Sequence, residues 1–85
     1  MAERYALYQY ASCPFCRRVL QFLADADVEV ELRDTQRNPQ ARRDLIEGGG
    51  RATVPCLRIE DDGNVRWLYE SLDIIEYLKR ASRGA

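Results

Sequence analysis

The segment of this sequence best equipped for chemistry is Cys13-Pro14-Phe15-Cys16. Two cysteines three positions apart become neighbours when the backbone between them is helical, because side chains at i and i+3 share a face. One sulfur can then attack a disulfide and the other can resolve the mixed disulfide that forms. The attacking sulfur belongs at the helix start, where free N–H groups and the positive end of the dipole favour a thiolate. Cys13 has that position. Cys16, further into the first turn, is expected to be more buried and more protonated. Arg17 and Arg18 add positive charge close by.

Missing residue types exclude other chemistries. There is no His, which removes Ser-His-Asp and Cys-His catalysis and the commonest zinc ligand. Cys56 is the only further thiol, so four Cys/His ligands cannot be gathered within one chain, and no metal site is expected. A buried structural pair is the remaining reading of Cys13 and Cys16. Against it, Cys13 stands ahead of the helix, where it is expected to be exposed.

Three further positions bear on a site. In Thr53-Val54-Pro55, proline opening a strand is an ordinary edge signal. A cis bond before Pro55 would free the Val54 backbone to pair with an extended thiol peptide, although most X-Pro bonds are trans. Glu70-Ser71 enters the last helix, either as a simple cap or as a place where helix N–H groups and the Ser71 hydroxyl hold a ligand carboxylate. Cys56 is either a small strand residue or a third redox thiol close to the site, open to over-oxidation.

The elements that must position these residues are legible as β-α-β-α-β-β-α. Strand-forming residues Tyr5 to Tyr10 make a first strand. Pro14 suits the first turn of a helix, and Cys16, Val19, Leu20 and Leu23 continue it to about Ala26. Val28 to Leu32 alternates as a half-buried strand. Asn38 caps a helix with Pro39 in its first turn and Ala41, Leu45 and Ile46 on one face; Gly48-Gly49-Gly50 stops it. Val54 to Ile59 is a strand, Asp61 to Asn64 a hairpin turn, and Val65 to Leu68 the returning strand. Ser71 caps a last helix with Asp73 in its first turn and Leu72, Ile75 and Leu78 inside. The first two strands flank a helix and are expected to be parallel; the last two form an antiparallel hairpin.

The 85 residues suffice for one domain, taken as 1–85. A net charge of −1 argues against a nucleic-acid partner. All basic residues but Lys79 are Arg, which binds carboxylates through a fixed fork, so a small acidic ligand is more plausible than a long polyanion. Met1 to Tyr10 carries Glu3 and Arg4 and no apolar stretch, and no run approaches the roughly 20 apolar residues of a membrane helix. The expectation is a cytoplasmic chain, without membrane contact, in which a close cysteine pair is catalytic rather than structural.

Taken together these residues resemble the glutaredoxins. Cys13-Pro14-Phe15-Cys16 is similar to the family's Cys-Pro-Tyr-Cys, and Thr53-Val54-Pro55 to its Thr-Val-Pro. The segment from Glu70 to Leu78 departs from small glutaredoxins and looks like the Glu-Ser segment of glutathione transferase N-terminal domains. The resemblance implies a thioredoxin/glutaredoxin-like three-layer α/β sandwich, βαβαββα, with a four-stranded mixed sheet. It also implies a monomer that reduces glutathione mixed disulfides and protein disulfides, with glutathione as co-substrate and no bound cofactor. Cys13 would be the nucleophile and Cys16 the resolving thiol. Thr53, Val54 and Pro55 would hold the glutathione cysteine, and Glu70 and Ser71 its γ-glutamyl end, with Phe15 close by. The Lys that the family carries three residues before the first Cys is Tyr10 here, leaving Arg37 or Arg51 to meet the glycine carboxylate. Two alternatives remain within the resemblance: an iron–sulfur cluster-binding glutaredoxin, and a non-catalytic domain derived from a transferase.

Overall fold

The computed structural model describes residues 3–83; of the expected domain, Met1, Ala2, Gly84 and Ala85 lie outside the described residues. The order is β1 (Arg4–Gln9), α1 (Pro14–Asp25), β2 (Glu31–Asp34), α2 (Pro39–Gly49), β3 (Cys56–Asp61), β4 (Asn64–Tyr69) and α3 (Ser71–Arg83). The strands form one mixed sheet in the order β2-β1-β3-β4. β1 and β2 are parallel, with Ala6 opposite Glu31, whereas β3 is antiparallel to both β1 and β4. This is the thioredoxin-like α/β fold. No helix among the described residues is long and apolar enough to cross a membrane.

Alternation along β1 and β3 divides the core between two layers. Leu7, Leu57 and Ile59 meet Val19 of α1 and Ile74 and Leu78 of α3 on one face. Ala6, Tyr8 and Cys56 meet Ala41 and Leu45 of α2 on the other. The sheet thus separates α1 and α3 from α2. α2 is started by Asn38, whose side chain accepts the N–H groups of Gln40 and Ala41, and ended by Gly50 at a left-handed φ of 90°. Gly48 and Gly49 are still helical, and each lies directly against an aromatic ring of β4, Trp67 and Tyr69; a Cβ at either would collide with it. The hairpin turns on Asp62 and Gly63, both at positive φ, as a two-residue type I′ turn requires.

Three sequence expectations shift. The second strand begins at Glu31 rather than Val28: Val28 and Val30 pack against the core from the extended approach, and Leu32 lies on the edge strand, 53% exposed. Ile46 is exposed, and the buried face of α2 is Ala41 and Leu45. In α3 the inner stripe is Ser71, Ile74 and Leu78, with Ile75 partly buried, whereas Leu72 is 64% exposed. Steps of three residues drift back about 60° around a helix at each step, while three followed by four stays on one face. Ile74→Ala should therefore cost about 2–5 kcal/mol of stability and Leu72→Ala less than about 0.5 kcal/mol, as read by urea denaturation. A larger loss at Leu72 would contradict this packing.

Candidate functional site

β1 runs into α1 through a short loop in which the Cys13 N–H donates to the Tyr10 carbonyl at 3.2 Å. Cys13 is the N-cap of α1, with extended backbone, and its Sγ accepts the Cys16 N–H at 3.3 Å. The first N–H groups of a helix have no intrahelical acceptor, and here a sulfur occupies the place usually taken by a Ser or Asp oxygen. Pro14, next in the chain, has no N–H to satisfy. The expectation that Cys13 is exposed is corrected: it is 6% exposed, because the turn before Pro55 covers it. Its Sγ lies 4.0 Å from the Val54 carbonyl oxygen. Cys16 is fully buried one turn further in, and burial, with the hydrogen bond to Cys13 adding to it, pushes its thiol up to about 12. The two sulfurs are thus unlike: one caps the start of a helix beneath the Val54 turn, and the other is a protonated thiol one turn deeper in the core.

The Val54–Pro55 bond is cis. A cleft of about 490 Å³ opens beside it, lined by Thr53, Val54 and Pro55, by Phe15 and Arg18 of α1, and by the residues 69–73 that lead into α3. Glu70 has a φ of 77°, a conformation that costs a non-glycine residue about 1 kcal/mol. Its carbonyl accepts the Ile74 N–H at 3.0 Å, which makes Glu70 the cap and places Ser71, expected as the cap, inside the first turn. The N–H groups of residues 71–73 therefore belong to the turn that lines the cleft. A wider hollow of about 820 Å³ lies at the other end of α1, against Glu3, Leu23 and Val30, and contains no cysteine. Among the described residues no group of three His, Cys, Asp or Glu is placed to hold a metal ion.

A family model for the glutathione S-transferase N-terminal domain matches residues 12–81, from just before Cys13 to near the end of α3. The chain belongs to that family. Maleylacetoacetate isomerase from Anaeromyxobacter dehalogenans, solved with glutathione in its active site, is similar over 96% of this chain at 26% identity and a TM-score of 0.73. Glutathione transferase Omega 1C from Trametes versicolor is similar over 96% at 22% identity, with a TM-score of 0.77. The thioredoxin-like protein BC3987 is similar over 88% at 24% identity, with a TM-score of 0.69, and this chain spans 99% of it. By contrast, this chain spans about 39% of the isomerase and 38% of the Omega transferase. No match was found among curated proteins.

In this transferase N-terminal domain, Phe15, Thr53, Val54, Pro55, Glu70 and Ser71 converge on one cleft; Cys13 and Cys16 do not line it, and Cys13 reaches it through Val54, whose carbonyl lies 4.0 Å from its sulfur. Tyr10, which stands where the family carries a Lys, and Arg37 and Arg51, considered for the glycine carboxylate, do not line the cleft. Tyr10 serves the β1–α1 loop through its carbonyl, and Arg37 is exposed in the turn after β2, its N–H on Asp34. Arg51 lies over the ring of Tyr69, 4.1 Å from its centre, and so touches a residue of the cleft. Sequence reasoning missed Arg18, Tyr69, Leu72 and Asp73 as cleft residues. Arg18 carried a signal, being three positions from Phe15 on the same helix face. Cys56, next to Pro55 and against Tyr69, does not line the cleft: it is fully buried on the α2 side of the sheet, where burial pushes its thiol up to about 11.

Cys16 and Cys56 both hold their protons more tightly in the folded chain than the ordinary value near 9.0 allows in the unfolded one. Their contribution to stability is full below about pH 9 and is lost as pH rises from there toward 11 and 12. The urea midpoint should accordingly fall between about pH 8 and pH 10, and fall less in a Cys16→Ala/Cys56→Ala double variant. An equal fall in both proteins would assign the loss to other groups.

Proposed function

We propose that this domain is a glutathione-dependent thiol–disulfide oxidoreductase of glutaredoxin type. The observation that carries the reading is the Cys13 sulfur, which caps α1 and sits 4.0 Å from the Val54 carbonyl at the edge of the cleft. An extended thiol peptide lying along the Thr53-Val54-Pro55 turn would bring its own sulfur to Cys13. The start of α3, with Glu70 and Ser71, would receive the γ-glutamyl end, its carboxylate on the helix N–H groups and the buried Ser71 hydroxyl. Membership of the transferase N-terminal family supports glutathione as the ligand, as does the glutathione held by the similar isomerase.

In the cycle, the Cys13 thiolate attacks the glutathione sulfur of a glutathionylated protein. A Cys13–glutathione disulfide forms, the protein–glutathione S–S bond breaks, and the protein thiolate leaves and takes a proton from water. A second glutathione thiolate then attacks the bound glutathione sulfur, releasing glutathione disulfide and the Cys13 thiolate. With a protein disulfide as substrate, Cys16 would instead attack the Cys13 sulfur of the mixed disulfide, closing a Cys13–Cys16 bond as the Cys13–substrate bond breaks and the substrate's second thiolate leaves; two glutathione molecules would then reduce that bond and depart as glutathione disulfide. The one-cysteine cycle needs no attack by the buried Cys16 and is the route we propose for glutathione mixed disulfides.

A transferase-like role is the second reading. The family match favours it, and so does the longer isomerase, of which this chain spans about 39%. Reduction of a small glutathione mixed disulfide, coupled to glutathione reductase and NADPH, separates the two. Cys13→Ser should abolish turnover, by at least about a hundredfold, while Cys16→Ser retains it within a few-fold. Full activity in Cys13→Ser would end the oxidoreductase reading. Inactivity of the wild type would leave the transferase-like one.

A further inference from the structure

We infer that Tyr69 is a positioning residue for the stretch 51–55, and through it sets how tightly a thiol peptide is held opposite Cys13. Tyr69 is the last residue of β4 and the ladder partner of Cys56, the residue that follows Pro55. Its hydroxyl donates to the Arg51 carbonyl at 3.0 Å, and its ring carries the Arg51 guanidinium at 4.1 Å. One residue thus meets both ends of an irregular stretch whose middle is Val54. The same ring forms part of the cleft wall beside Thr53, Val54 and Pro55. Behind it, Gly49 of α2 lies where a Cβ would collide with the hydroxyl, so the glycine leaves the space that the hydroxyl occupies.

The Val54 carbonyl stands against Cys13 in a stretch held at residues 51 and 56: the Arg51 carbonyl takes the Tyr69 hydroxyl, and Cys56 is held by the β3–β4 ladder, with its thiol also against the Tyr69 side chain. Removing the Tyr69 hydroxyl frees the Arg51 end without touching Cys13, the cis bond or the start of α3. Gly49→Ala reaches the same result by another route, displacing the hydroxyl while leaving the tyrosine in the sequence.

This inference rests on the glutathione reading, and the experiment separates the two. Amide hydrogen exchange is measured in the free protein for wild type, Tyr69→Phe and Gly49→Ala, beside KM and kcat for glutathione. Exchange at 51–54 should quicken about tenfold in both variants, with α1 and α3 unchanged. KM should rise about fivefold, the factor expected for one lost neutral hydrogen bond, with kcat within about twofold of wild type. Unchanged exchange in both variants overturns the inference, and so does faster exchange with unchanged KM. If the wild type neither binds nor turns over glutathione, it is the glutathione reading that has failed, and the exchange rates alone decide whether Tyr69 holds the stretch.

Discussion

The N–H of Cys16 at the start of α1 needs an acceptor, and the sulfur of Cys13 supplies it at 3.3 Å. The rest of the site follows from that contact. It holds Cys13 in extended backbone at the helix end, fixes its sulfur near the positive end of the dipole, and sets Cys16 one turn deeper in the core. A pair of identical side chains three residues apart thereby acquires two different environments. The difference is one of position in the helix and needs no neighbouring base, which suits a chain without His.

The sheet brings the other walls of the cleft to that sulfur. β1 feeds α1, β3 begins just after Pro55, and β4 ends just before Glu70. Because β3 lies between β1 and β4, the loop ahead of β3 and the loop after β4 sit at the same end of the sheet as the loop after β1. For this reason Cys13 meets Val54, and Val54 shares a cleft with Ser71, although the three are far apart in sequence. The Glu70 backbone, at positive φ, turns the chain sharply from β4 into α3 so that the first turn of the helix faces the cleft.

Much of this was legible in the sequence, and the parts that were not have physical causes. Cys13-Pro14 marked a helix start, Asp62-Gly63 a turn, and Asn38-Pro39 a cap, because each residue type has a narrow backbone or hydrogen-bonding preference that the fold uses. The second strand was misplaced because alternation reports which side chains are buried and not where the ladder hydrogen bonds begin; Val28 and Val30 are partly buried without being in the strand. Ser71 concealed the inner stripe of α3, since a buried serine at the helix start reads as a cap. The burial of Cys13 under the Val54 turn, the placement of Cys56 beneath α2 and the contribution of Tyr69 arise from contacts between segments distant in the chain, for which no local pattern gives a signal.

In the proposed function, Cys13 is the sulfur that exchanges with glutathione. The most direct measurement is to incubate Cys16→Ser with oxidised glutathione, quench with acid and locate the adduct by mass spectrometry of proteolytic peptides. One glutathione is expected, on Cys13, reversed by reduced glutathione, with Cys56 unmodified. An unmodified Cys13, or an adduct on Cys56 in its place, would contradict it.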